Sequence, residues 1–85
     1  MLERIKEYLD SFKGDDVYLV FESIEDDLKL EMIENTYEDG HLSVGVYYSD
    51  EYNSWYEVSV SDITKRAYVI KVIPKQITKT IWEEV

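Results

Sequence analysis

The chain contains no cysteine, one histidine and one proline. Without cysteine, neither a disulfide framework nor a thiolate metal site can form, and this composition is typical of a reducing compartment. No apolar run approaches the roughly 20 residues that cross a membrane. The first residues, Met1 to Arg4, lack the apolar stretch of a signal peptide. We therefore expect a cytoplasmic protein without a membrane partner.

Side chains that commonly carry out catalysis are also scarce. The only histidine, His41, follows a turn signal, and a lone exposed histidine is more often solvated than a general base. The three glycines are scattered, so there is no phosphate-binding loop, and no nucleophile motif of the G-x-S-x-G type is present. The acid pairs lack the spacing of a calcium loop. We expect no enzymatic activity, no metal ion and no cofactor.

Length and composition favour one folded domain over residues 1–85. Hydrophobic residues make up 45% of the chain and aromatic residues 14%. This apolar content is enough for a packed interior, so disorder is not expected.

Negative charge is the dominant feature of the composition. Nineteen acids against nine bases give a net charge of −10, and residues 14–62 hold fourteen of the acids but only one base, Lys29. Such a chain repels nucleic acids and attracts basic partners. Two interpretations stay open: the acids serve only solubility, or they form a surface that binds another protein.

Apolar spacing predicts a helix over residues 2–13, ended by Lys13 and Gly14. The β-branched and aromatic segment Val17–Ile24 predicts a strand. Residues 26–36 fit either a helix or a strand, and their helix-forming composition favours the helix.

The second half of the chain alternates between polar and apolar residues after the turn signal Glu38-Asp39-Gly40. Residues 42–48 and 55–60 predict an antiparallel hairpin around the loop Ser49–Ser54. Residues 67–73 predict another strand, ended by Pro74, and Gln76–Trp82 predicts an edge strand. We predict an α+β fold, in which an N-terminal helix and a second helix pack on an antiparallel sheet of about five strands.

The amount of charge suggests imitation of DNA. A compact domain of this length has a radius of gyration of about 12 Å and a long dimension near ~30 Å. Duplex DNA of that length carries roughly 18 phosphate charges. The fourteen acids of residues 14–62 are of the same order, so the chain could imitate a short piece of DNA if most of them share one side.

Short stretches of the chain resemble a known family. The triplet Glu22-Ser23-Ile24, the acids Glu25-Asp26-Asp27 that follow it, and the hairpin segment Val46–Glu51 are similar to the uracil-DNA glycosylase inhibitor (Ugi) family, including its staphylococcal members. Ser61-Asp62 follows the hairpin at a similar distance. The resemblance covers the layout of nearly the whole chain, while literal identity is confined to these stretches.

This resemblance implies a monomer that forms a 1:1 complex with uracil-DNA glycosylase by DNA mimicry. In the family, a strand docks as an edge into the enzyme's DNA-binding groove, and an apolar pocket between the second helix and the sheet receives a leucine of the enzyme. The residues that match this partner-binding surface are Glu22, Ser23, Ile24, Asp26, Asp27, Leu28, Met32, Ile33, Val44 and Asp62. Glu22 would stand in for a phosphate, Leu28, Met32 and Ile33 would line the helix side of the pocket, and Val44 its sheet side.

Two other functions fit the same charge distribution. One is DNA mimicry against another target, as in the anti-restriction or anti-CRISPR proteins of phages. The other is an immunity protein or antitoxin that neutralises a basic toxin nuclease.

Overall fold

The computed structural model describes residues 1–12, 16–38, 42–61, 63–76 and 80–85. Two helices come first and five strands follow. Their bounds are α1 Leu2–Asp10, α2 Val17–Asp27, β1 Glu31–Glu38, β2 Leu42–Ser49, β3 Ser54–Ser61, β4 Arg66–Gln76 and β5 Thr80–Glu84. The predicted α+β class is confirmed.

The N-terminal helix is confirmed, and it ends earlier than predicted. Ile5 and Leu9 are buried one turn apart, and α1 packs against β4. After the last helical residue, the Ser11 hydroxyl donates to the carbonyl of Tyr8 at 2.7 Å. The same carbonyl also accepts from the Ser11 backbone N–H at 3.3 Å, so residue 11 pairs a carbonyl at the end of the helix. The predicted stop at Lys13 and Gly14 lies outside the described residues.

The strand predicted over Val17–Ile24 is wrong, because this segment forms α2. The Asp16 side chain caps the helix by accepting a hydrogen bond from the Tyr18 N–H at 2.9 Å. Apolar residues buried at i, i+3, i+4 and i+7 then form one helical stripe: Val17, Val20, Phe21 and Ile24. Burial of that stripe outweighs the β-propensity of its residues, since this propensity depends on context.

The helix predicted over residues 26–36 is also wrong. Lys29 has a φ of 57°, and the Leu30 N–H reaches back to the carbonyl of Glu25 at 3.2 Å. A left-handed residue followed by this bond is a Schellman stop, which ends α2 before residue 30. The chain then enters β1, so the part of this segment after residue 30 is a strand, which is the second of the two structures that its sequence fits.

The five strands form an antiparallel meander in the order β1-β2-β3-β4-β5. The predicted hairpin is confirmed: β2 pairs with β3 from Leu42↔Ser61 to Ser49↔Ser54. The last strand, predicted over Gln76–Trp82, is present as β5 but begins at Thr80, and Gln76 belongs to β4. The turn at Glu38-Asp39-Gly40 extends beyond the described residues, and His41 lies outside them.

Pro74 does not end its strand, contrary to the prediction. It lies inside β4 and pairs with Trp82 of β5. The pairing of β3 with β4 ends at Val72, so β4 has no β3 partner at Pro74. A proline is tolerated there because no ladder bond on that side needs its missing N–H.

Both helices pack on one face of the sheet. The core joins the buried stripes of α1 and α2 to Tyr47, Tyr56 and Val58, among others. Among the described residues, none of the helices has the length and apolar character of a membrane span.

Candidate functional site

The segment with the largest negative charge contains α2 and the first strand of the sheet. Residues 16–38, which contain α2 and β1 and are called the acidic flank below, carry eight acids and one base, a net charge of −7. Residues 63–76, which contain β4, carry four bases and no acid. Because β2 and β3 separate β1 from β4, the domain has a negative flank and a positive region on the other side of the sheet.

Six acidic side chains of α2 and β1 are exposed to solvent. Those exposed on α2 and β1 are Glu22, Glu25, Asp26, Asp27, Glu31 and Glu34. Among the strands that the structure describes, β1 lies at one end of the sheet order and pairs with β2, so it is an edge strand there. Exposed carboxylates beside a strand edge form a surface that attracts a positively charged partner.

A recess opens between α2 and the first two strands, within the acidic flank. Its cavity volume is 210 Å³. Residues of the helix and of both strands line it: Tyr18, Phe21, Glu22 and Glu25 of α2, Met32, Asn35 and Thr36 of β1, and Ser43 of β2. The four α2 residues follow the i, i+3, i+4, i+7 spacing of one helix face, so two carboxylates stand beside aromatic rings and a thioether.

Ser43 gives this recess a buried polar group. The side chain is 2% exposed, and its Oγ has no hydrogen-bond partner among the described residues. Most buried polar groups in proteins have such a partner. Ser43 is therefore an exception that requires an explanation.

Tyr47, four residues along the same strand, shows the usual pattern. Its ring is fully buried, and its hydroxyl donates to the carbonyl of Phe21 at 3.3 Å. Burial raises the pKa of the Tyr47 phenol, and the nearby Glu25 carboxylate and Tyr8 raise it further. The bond and an edge-to-face contact with the Phe21 ring fix α2 against β2 beside the recess.

The triplet that carries the family resemblance does not lie on a strand. All three residues belong to α2. Glu22 is exposed and lines the recess, whereas Ser23 faces a different groove with Tyr8 and Leu19. Ile24 is fully buried in the core, so its expected contact with a partner is wrong for this fold.

The other predicted site residues are dispersed. Asp26 and Asp27 lie in the last turn of α2, where the helix dipole disfavours acids, and not in a first turn. Leu28 follows that turn and packs against the core.

Of the residues expected to form the apolar pocket, only Met32 lines the recess. Ile33 is 42% exposed, next to an irregularity in the β1–β2 register. Val44 follows Ser43 in β2, and alternation turns it to the opposite face of the sheet. Asp62 lies outside the described residues.

Sequence reasoning missed Tyr18, Phe21, Glu25 and Ser43. The first three could have been found from the i, i+3, i+4, i+7 spacing after Asp16, had the segment been assigned as a helix. No local signal singles out Ser43, because its isolation depends on how α2 crosses the sheet.

The opposite face of the sheet carries an aromatic cluster. Trp55 lies between Tyr48 and Trp82, with ring centroids 5.1 and 6.3 Å apart. The Trp82 Nε1–H donates to Glu34 Oε2 at 2.8 Å, which joins β5 to β1. The sheet is therefore curved enough for its two edge strands to be bridged by side chains.

Within the described ranges, no group of three or more histidine or acidic side chains is placed to hold a metal ion. The arrangement found there offers negative charge, an exposed strand edge and a recess with a hydroxyl group. Comparison of the chain with protein-family models, with curated proteins and with solved structures finds no significant match.

Proposed function

We propose that this protein inhibits a DNA-processing enzyme by placing its acidic flank in the enzyme's DNA-binding groove. Uracil-DNA glycosylase is the target that the sequence resemblance favours. The observation that carries the proposal is the combination of a net charge of −7 over residues 16–38 with a 210 Å³ recess in the same surface. Charge steers the partner, and a buried anchor slows its release.

The dimensions of the flank are compatible with DNA mimicry. Eight residues of β1 extend about 26 Å at ~3.3 Å per residue. One DNA strand of that length carries about eight phosphates at ~3.4 Å per charge. The flank as a whole has eight acids, three of them in β1 and five in or beside α2. The negative charge of the flank is thus close to that of one strand over the same distance.

The mode of docking proposed here differs from the one that the resemblance implies. Glu22 lies on a helix, so it cannot dock as part of a strand edge. In the proposed mode β1 supplies the strand edge, while Glu22 and Glu25 approach the partner from α2. Glu31 and Glu34 lie on the opposite face of the sheet, where Glu34 accepts the bond from Trp82.

Inhibition of a purified bacterial uracil-DNA glycosylase tests the proposal directly. Uracil release from a single-stranded oligonucleotide is followed as the protein is added. We expect release to stop near one equivalent. Full activity in the presence of excess protein would contradict the assignment of this target.

A specific observation favours a second candidate, namely DNA mimicry against a nuclease and not a glycosylase. The helical state of Glu22-Ser23-Ile24 removes the strand that the glycosylase interaction uses in the family. A restriction endonuclease, a CRISPR nuclease and a toxin nuclease should therefore be assayed beside the glycosylase. Inhibition of one of these without inhibition of the glycosylase would identify the second candidate as correct.

A further inference from the structure

The unpaired hydroxyl of Ser43 distinguishes the recess from a plain apolar pocket. A buried hydroxyl without a partner costs free energy, because its hydration is lost and not replaced. The described part of the protein supplies no partner for it. A ligand that enters the recess with a hydrogen-bond donor at its tip would supply one.

We propose that the recess binds an arginine side chain of the partner, with a guanidinium N–H donating to Ser43 Oγ. The inference rests on the proposed function, since a DNA-binding groove is where a partner presents arginine. An arginine side chain beyond Cα has seven heavy atoms. The 210 Å³ cavity has room for it, because a cavity of about 150 Å³ accepts the six carbons of benzene.

The lining of the recess matches each part of this side chain. Met32 and Phe21 offer apolar surface for the methylene stem. The Phe21 and Tyr18 rings can accept a cation on their faces. Arginine suits such a site better than lysine because the guanidinium is planar and less strongly hydrated.

Electrostatics and hydrogen bonding both discriminate against a leucine. Glu22 and Glu25 line the recess and attract a positive charge, whereas a leucine gains nothing from them. A leucine supplies no hydrogen-bond partner for the Ser43 hydroxyl, which stays unpaired as in the free protein. The hydrogen bond that only arginine can form therefore favours arginine.

Titration with blocked amino acids tests this inference without the partner. The probes are N-acetyl-arginine amide, its uncharged near-isostere N-acetyl-citrulline amide, and N-acetyl-leucine amide. Binding is followed by NMR through the Met32 methyl group and the Ser43 amide. We expect saturable shifts with the arginine probe and about tenfold weaker binding of the leucine probe, which corresponds to one charged hydrogen bond.

Two variants complete the experiment. Ser43→Ala should weaken binding of the arginine probe about tenfold while binding of the leucine probe is unchanged. Glu84→Lys, which alters an exposed charge on β5, should leave the preference intact. Tighter binding of the leucine probe, an unchanged arginine affinity in Ser43→Ala, or no saturable shift with the arginine probe would overturn the inference.

The outcome is separable from that of the inhibition assay. Inhibition of a DNA-processing enzyme without binding of the arginine probe would leave the proposed function standing and remove this inference. Binding of the probe without inhibition of any nuclease or glycosylase would remove the proposed function instead.

Discussion

Replacing Ser43 with alanine should stabilise the protein. The Ser43 Oγ is buried without a partner, and such a group costs about 1–3 kcal/mol. Alanine removes the hydroxyl but has a weaker preference for strands, on a scale that spans about 1 kcal/mol. We expect a net gain of roughly 1 kcal/mol in the free energy of unfolding, which raises the Tm of a domain of this size by about 4–8 °C.

A second serine of the same strand provides the matched control. Ser49 is buried to the same extent, 2% exposed, but its Oγ accepts a hydrogen bond from the Tyr52 N–H at 3.3 Å. Ser49→Ala should therefore destabilise the protein by about 1 kcal/mol. Urea unfolding of the two variants should give opposite signs, with unchanged m-values. A loss of stability in Ser43→Ala equal to that in Ser49→Ala would show that the Ser43 hydroxyl is already paired, and the reasoning would fail.

Three further predictions concern stability. Burial raises the pKa of the Tyr47 phenol in the folded state, so the contribution of this group to the free energy of unfolding is complete below pH ~10. Above that pH the contribution declines by up to about 1.4 kcal/mol per pH unit. Tyr47→Phe should remove this part of the pH dependence, measured by urea unfolding above pH ~10. Gly45→Ala should lower the free energy of unfolding, measured in urea, by about 1–3 kcal/mol. The new Cβ would lie 3.1 Å from the Tyr47 ring, and that side chain is buried and hydrogen-bonded. A gain in stability would show that the ring moves aside. Trp82→Phe removes the bond to Glu34 and should lower the free energy of unfolding by about 1 kcal/mol, with a change in Trp55 fluorescence; unchanged stability would mean that this bond contributes nothing in solution.

The parts of the fold that follow from local pattern could be predicted from the sequence. Strict alternation over residues 42–60 determined the hairpin and the position of its loop. The spacing of Ile5 and Leu9 determined the first helix. The first helix buries one face, and the sequence of the hairpin alternates between polar and apolar residues although Val46 and Ser59 are buried on its second face. The periodicity of both segments is therefore clear.

The segment from Val17 to Glu38 could not be assigned in the same way. Its first half combines β-branched residues with helical spacing, and only packing on the sheet decides between them. The end of α2 depends on Lys29 in a left-handed conformation, which costs roughly 1–2 kcal/mol for a residue with a side chain. No sequence rule for helix ends favours lysine at this position. The second helix was therefore predicted at the wrong place in the chain, and site residues were assigned from that wrong placement.

The candidate site was predictable in its chemistry more than in its residues. The concentration of acids in the middle of the chain is visible in the sequence, and eight of them belong to residues 16–38, which contain α2 and β1. Glu22 and Met32 were identified as site residues and line the recess. Ser43 and Phe21 were not, since they come together only through the packing of α2 against β2.

The central claim is that the acidic flank, and not the net charge of the molecule, binds the partner. Two double variants that change the charge equally separate these causes: Glu22→Lys with Glu25→Lys in the flank, and Glu7→Lys with Glu84→Lys on α1 and β5, all exposed positions. The measurement is the association rate with the inhibited enzyme at low salt. We predict a rate at least roughly tenfold lower for the flank variant and a rate near that of the parent for the control. Equal rates for the two variants would contradict the account.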